Sequence, residues 1–449
     1  MILYGRAMRP LAVLQFVRMI MTLAAITLMA TTCEESPDTP DHSDSRGDEE
    51  PLSPSPSSQI EKNTENIVSE LESETHNTQN DSTVDISNTE TVNYSYTAPF
   101  TQLQISGQNN ELRRAVVVKI GNNNSSSRPQ VGLNSADIVF ELLIEGIRTR
   151  FLAVYHTEIP KRISPVRSAR SSDFDLIRDL GNPYFVSSGG NSKVLNEMKS
   201  AARKQIMIDG SASSSKAYYI RDKSRRSPYN LVFAYSPPEE DNENMDIDFE
   251  PQIFDNALTE ALPSIFKYSS NLDLNKTPFS TEMSDTDSGD NTVGLRITYR
   301  QPAGVDVMHI WDETVQGWVR IQDGTLHVVE TDYGMAEIAP TNVLVLSIDY
   351  KTSEADRGSP HAITYGEGEA WLLTQGEIIQ AFWKRTEDRI GFHLTDNEDT
   401  QLSLTPGKTW VLLTNRRGPH PIAQIRHIPG NEGWKLLNDA RIAYTISQQ

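Results

Sequence analysis

Cysteine is nearly missing from this chain: 449 residues hold one, Cys33. A single thiol cannot close an internal disulfide, so the fold must rest on its apolar core. Long apolar runs are also scarce. Beyond the N-terminal stretch no segment approaches the ~20 consecutive apolar residues of a membrane helix. No HxxxH, HExxH or cysteine cluster supports a zinc site, and no GxSxG elbow supports a serine hydrolase. Nothing calls for a metal or a cofactor. Positive charge is the minority, with 41 Lys+Arg against 61 Asp+Glu and a net charge of -20. That balance excludes a general nucleic-acid binder, which needs a basic footprint.

What is present begins with Arg6, Arg9 and Arg18, then an apolar run through Ile20, Leu23, Ile26 and Met29. Small residues Ala30, Thr31 and Thr32 lead to the lone Cys33. A basic region, an apolar stretch and small residues make a secretory signal, and Cys33 stands where a lipoprotein signal is lipidated. Thr32 departs from the usual Gly or Ala before that cysteine, so an uncleaved anchor is the alternative. Either way the expected location is extracytoplasmic, with the membrane as partner through the N-terminus. From 34 to 100 roughly 16 acidic residues face two basic ones. With its prolines and few large apolar side chains, the 34–96 segment reads as a disordered acidic spacer.

The chain is organised around residues 128–170. Runs 137–141 and 151–155 are β-branched and aromatic, as strands are, and Gly146 permits a turn between them. Glu141 and Glu145 lie in or after the first run. Arg148 flanks the turn with Glu145, Arg150 opens the second run, and Arg167 and Arg170 follow in a segment leading to a helical pattern over 173–180. Guanidinium is planar, always charged and forks onto carboxylate or phosphate. Two readings follow. The arginines are fixed partners of Glu141 and Glu145 inside a scaffold, or they line a pocket for an anionic ligand. Gly189, Gly190 and Asn191, in a Gly-rich turn after the 184–186 strand, and Asn230 would add backbone and neutral contacts. A third reading makes Glu141 and Glu145 the carboxylate pair of a cell-wall polymer hydrolase. Neighbouring arginines would depress both carboxyls, which suits a general acid poorly.

RPQVGLNSADIVFE, EGIRTRFLAVY and SPVRSAR closely resemble signature blocks of the YerB-like bacterial lipoproteins, a family of unknown function. SSGGNSK at 187–193, RRSPYNLVF at 225–233, and the C-terminal GEGEAWLLTQGEIIQAFWKR and LTPGKTWVLL fit the same pattern. Tyr229 stands where the family usually has His. The resemblance spans about 116–414. It implies an anchored, extracytoplasmic two-domain protein and brings no established catalytic residues. The expected function is therefore a binding or scaffold module of the cell envelope, its partner a wall component, another anionic ligand or an envelope protein.

The remainder predicts an α+β fold. A larger mixed α/β domain with antiparallel strands covers 97–335, and a small, mostly antiparallel β domain covers 336–415. They follow the signal (1–33) and spacer (34–96), and 416–449 is an extension. In the larger domain, 115–120 reads as a buried strand, 193–204 as a helix and 253–266 as an amphipathic helix. Four alternating strands follow between 293 and 329. Acidic insertions occupy 239–250 and 280–291; the latter lacks the terminal glutamate of a calcium loop. Trp371, Trp383 and Trp410 are expected to fill the smaller core, with an aromatic sugar platform as the alternative. His361 reads as structural. Residues 434–445 permit either a strand or a helix.

Overall fold

The computed structural model describes residues 95–106, 112–235, 258, 260–270, 291–299 and 304–449. The signal, Cys33, almost all of the spacer and both acidic insertions except residue 291 lie outside the described residues. All described residues belong to one unit, Glu90–Gln449. Among the described residues strand dominates, at 43% against 17% helix.

The centre is an 11-stranded sheet. Its middle strand, Ile138–Ile144, runs antiparallel to Arg148–Tyr155 and parallel to Thr409–Arg417. Thr409–Arg417 is also parallel to Asn342–Thr352. These three strands read IVFELLI, TWVLLTNRR and NVLVLSIDYKT, near-continuous apolar runs of the kind a parallel sheet covered on both faces requires. Val116–Asn122 and then Tyr184–Val186 and Ile208–Asp209 extend one side. Gly366–Thr374, Glu377–Arg385 and His393–Thr395 extend the other. The strands predicted after residue 336 are therefore continuous with the sheet begun before it, because two parallel pairings join them to Ile138–Ile144.

A second, five-stranded sheet is formed by Thr292–Thr298, Asp306–Asp312, Gly317–Gln322, Thr325–Leu326 and Gln424–Pro429. Its Asp323-Gly324 turn has φ of 52° and 76° at the two positions. Two positive φ values match the right-handed twist of the flanking strands. Leu295, Ile297, Val307 and Trp318 join the core of the large sheet. The sheet's outer face holds Met308, Ile310, Val319 and Ile321, which pack on Leu437 and Ala440 of the Gly430–Ser447 helix. The segment that permitted either a strand or a helix is thus helical. Against the opposite face of the large sheet lie the helices Ser171–Ile177 and Ser192–Arg203, the latter burying Val194, Met198 and Ala201.

One expected helix is corrected. Residues 260–266 of the predicted 253–266 helix are non-helical; 253–257 and 259 lie outside the described residues. Pro263 removes a backbone donor and clashes with the preceding turn. Leu262, Ile265 and Phe266 are buried all the same, and Phe266 stacks on Phe392 with ring centroids 6.1 Å apart. Apolar side chains spaced for a helix here serve an extended segment.

The tail helix generates the first prediction. Leu437 is buried, whereas Ile446 is 65% exposed. Leu437→Ala should destabilise by about 2–4 kcal/mol in denaturant unfolding, and Ile446→Ala by less than about 0.5 kcal/mol. Equal effects would contradict this packing.

Candidate functional site

Cross-strand register sorts the charged residues onto two faces of the large sheet. Glu141 pairs with Phe151, and Phe151 with Ile120, which puts all three on one face. Arg150 pairs with Leu142 on one side and Gly121 on the other, and Leu152 with Lys119, so these point the other way. The strand ends at Ile144. Glu145 begins a short 3-10 turn in which Gly146 has φ of 72°, so strand alternation no longer places Glu145 beside Glu141.

The Glu141 face is closed by the five-stranded sheet. Both Glu141 carboxylate oxygens accept from Arg320, each at 3.0 Å. Thr149 Oγ1 donates to Glu141 at 2.8 Å and Trp410 Nε1 at 3.0 Å. Arg320 is fully buried, with its guanidinium carbon 4.9 Å from the Trp410 ring centroid and 5.6 Å from that of Phe151. Arg320 also donates to Gln322 Oε1 at 2.7 Å and meets His327 Nδ1 at 2.5 Å. Guanidinium only donates, so His327 Nδ1 accepts and its Nε2 carries the proton, donating to Gln130 Oε1 at 2.9 Å. Burial and then Arg320 hold the His327 pKa well below the usual histidine range. Glu141 is therefore a structural acceptor with its lone pairs taken. Its arginine is Arg320, not the arginines near it in sequence.

The opposite face carries the cluster. Lys119 is fully buried, and its Nζ lies 2.5 Å from Asp173 Oδ1. Burial pulls the Lys119 pKa down and the Asp173 carboxylate opposes that pull. Asp173 also accepts from the Arg170 backbone N–H at 2.7 Å, which anchors the start of the Ser171–Ile177 helix. Arg170 forks onto Glu145, Nε donating at 3.0 Å and the second amino group closing the pair. Ser359 Oγ donates to the same carboxylate at 2.9 Å. Burial alone would raise the Glu145 carboxyl; the Arg170 hydrogen bonds and charge, with Arg150 behind them, hold it at about 2.

Arg150 is buried and 3.7 Å from Glu145, with one donor on Ser168 O at 2.9 Å and its Nε unpartnered. Burial first and Arg170 second lower its pKa, but a guanidinium remains charged at neutral pH. Arg167 donates to Pro228 O at 2.9 Å and lies over the Tyr229 ring at 5.1 Å. It has no carboxylate within ion-pair distance among the described residues. The same holds for Arg148, placed by register on the Arg150 face. Beside Arg167 run Ser168 and Ser188, their hydroxyls 3.3 Å apart, and Gly189, whose φ of 99° leaves open space where a side chain would stand.

The structure therefore brings Glu145, Arg150, Arg167, Arg170 and Gly189 together. Gly190 packs against Val194. Asn191 caps a helix: its Oδ1 accepts from the backbone N–H groups of Lys193 and Val194, both at 3.0 Å. Asn230 Oδ1 accepts from Arg221 at 2.8 Å. The expected Glu141/Glu145 carboxylate pair is not formed, because the sheet separates them and Glu141 is sealed in the core. Lys119, Asp173, Arg320 and Ser359 were missed by sequence reasoning. The available signal was a charge at a core position of an otherwise apolar strand, as in VVVKIGN and GWVRIQ. Trp383 and Trp410 are buried as expected, while Trp371 is half-buried. His361 sits 3.6 Å from Asp175.

Residues 100–248 match the model described as "Protein of unknown function (DUF3048) N-terminal domain", and residues 295–411 match that of its C-terminal domain. The chain belongs to this YerB-like family. It is 27% identical over 319 residues to the Bacillus subtilis (strain 168) protein YerB, whose name describes it as a lipoprotein. The match covers 70% of this chain and 85% of that protein. The crystal structure of the YerB protein from Bacillus subtilis shares the fold, with a TM-score of 0.56 at 23% identity, over 74% of this chain and 99% of the other. No helix among the described residues is long and apolar enough to cross a membrane.

Two predictions follow from the two faces. Arg320→Met leaves Glu141 buried without its cation and should cost about 3–5 kcal/mol; Arg320→Met with Glu141→Leu should cost clearly less than the sum of the single changes in a double-mutant cycle. Additive costs would contradict the coupling. Glu145 has a folded pKa of about 2 against an ordinary 4.5. Its stabilisation is complete above about pH 4.5 and fades as pH falls towards 2. The melting-temperature gap between the wild type and Glu145→Gln should be widest near neutrality and narrow below pH 4.5; a constant gap would contradict the Arg170 pairing.

Proposed function

We propose that this protein is a membrane-anchored extracytoplasmic lipoprotein that binds an anionic ligand, or an anionic patch of an envelope partner, at the Arg150–Arg167–Arg170 cluster. The anchor rests on the signal-like N-terminus ending at Cys33 and on the name of the YerB relative. The binding reading rests chiefly on Arg167, a half-buried guanidinium held by a carbonyl and an aromatic face but matched by no carboxylate among the described residues. Around it, Lys119 is spent on Asp173 and Arg170 on Glu145, while Arg150 meets Glu145 only at 3.7 Å. Two positive charges thus remain for two guanidinium groups that cannot deprotonate. An anion held there would take charge-assisted hydrogen bonds from Arg167 and Arg150. The Ser168 and Ser188 hydroxyls and the open backbone at Gly189 would complete the cradle. Glu145, held ionised, positions Arg170 and would repel excess negative charge, which favours a small oxyanion or single carboxylate over a polyanion.

The test is thermal melting of the full-length protein with inorganic phosphate, acidic muropeptides and acidic glycans at rising concentration. A ligand bound only to the native state stabilises by about 2.7 kcal/mol at a hundredfold excess over its dissociation constant. A saturable rise is expected in the wild type and not in a still-folded Arg167→Ala variant. No rise with any of these, together with a variant that melts far lower, would overturn the anion site and leave the arginines as structural.

A further inference from the structure

The far edge of the large sheet carries a second concavity, of ≈ 630 Å³, that shares no residue with the arginine cluster. This size falls within the range of small-ligand sites. Register places Glu369, Phe382 and Thr395 in one cross-strand row and Glu367, Lys384 and His393 in the next, all on one face. All six line the concavity. Phe382 is 39% exposed, a ring presented to solvent among polar neighbours.

The polar groups are of both kinds. His393 Nε2 is buried without a hydrogen-bond partner. Arg389, also in the lining, has no carboxylate within ion-pair distance among the described residues, and Glu369 has no cation there. Lys384 and Glu367 form an exposed pair at 3.4 Å, and Arg416 and Arg417 on the rim are matched by Asp349 at 3.0 and 3.3 Å. Asp399 also lines the concavity, and with it the charges come close to balance, unlike those of the arginine cluster. The lining offers one apolar ring face bordered by unspent donors and an unspent acceptor. A simple anion would leave the ring and Glu369 unused, and a wholly apolar ligand would strand the polar groups. A pyranose matches both demands, since its C–H face is apolar and its rim groups donate and accept.

We propose that this concavity binds a glycan, with one sugar ring stacked on Phe382 and its hydroxyl or acetamido groups held by Glu369, His393 and Arg389. The site stands independently of the anion site. Isothermal titration calorimetry of the full-length protein with a β-1,4-linked N-acetylglucosamine tetrasaccharide tests it. Saturable binding is expected, weakened about tenfold in Phe382→Ala, the scale of one aromatic contact, and restored in Phe382→Trp. Phe382 is 39% exposed, so Phe382→Ala should lower the melting temperature only slightly and still unfold cooperatively, which separates lost binding from lost fold. No binding at millimolar sugar, or undiminished binding in folded Phe382→Ala, would overturn the proposal. So would binding that is lost in Arg167→Ala and retained in Phe382→Ala, which would move the sugar to the arginine cluster.

Discussion

The buried pair of Glu141 and Arg320 is the constraint around which the two sheets are arranged. A charge without a partner inside a protein is strongly destabilising, and even a paired one needs its remaining hydrogen bonds satisfied. Here Glu141 sits on the large sheet and Arg320 on the five-stranded one, so neither is tolerable unless the sheets meet in one alignment. Thr149 and Trp410 complete the carboxylate, and Trp410 and Phe151 close over the guanidinium. The His327–Gln130 relay continues the alignment to the Gly121 carbonyl on the large sheet, which Gln130 Nε2 reaches at 3.0 Å. A purely apolar interface of similar area would permit sliding; a buried ion pair, in which one Arg320 amino group reaches both Glu141 oxygens, does not.

That arrangement leaves chemistry to the other face and to the sheet's edge. On the helix-covered face, Lys119 and Asp173 pair in the interior, while Glu145, Arg150, Arg167 and Arg170 gather where the hairpin turn at Gly146 breaks strand alternation. The turn swings Glu145 to the arginines and away from Glu141. At the far edge the strands shorten to the three residues His393–Thr395, and polar side chains border an exposed ring. Arg150 and the row of Glu369, Phe382 and Thr395 lie on strands, which fix side-chain direction firmly, whereas Arg167, Arg170 and Gly189 lie in the loops that the sheet holds apart.

Much of this was legible from the chain. The 138–155 hairpin, the Tyr184–Val186 strand, the Ser192–Arg203 helix and the alternating strands near 293–329 follow from apolar periodicity and turn residues. Those signals are local, and in each case tertiary packing agrees with them. Sequence reasoning failed where a local pattern was ambiguous or where the partner was distant. Leu262, Ile265 and Phe266 have helical spacing, but Pro263 forbids the helix and they are buried in an extended segment. Parallel pairing of Asn342–Thr352 with Thr409–Arg417 leaves no turn signature, because a parallel pair needs a long crossover. Glu141 was matched to the nearest arginines in sequence, whereas its partner lies 179 residues away.

By itself the sequence determined the acidic balance, the single cysteine behind a signal-like segment, the strand-rich composition of the body and the concentration of arginines within 148–170. These depend only on residue type and short-range spacing. Tertiary structure alone decided which cations are spent and which are free. Arg167 and Arg170 are three residues apart and chemically identical, yet Arg170 faces Glu145 and Arg167 faces an aromatic ring and a carbonyl. A charge becomes available or spent through what stands within a few ångströms of it, and that is set by contacts between segments far apart in the chain.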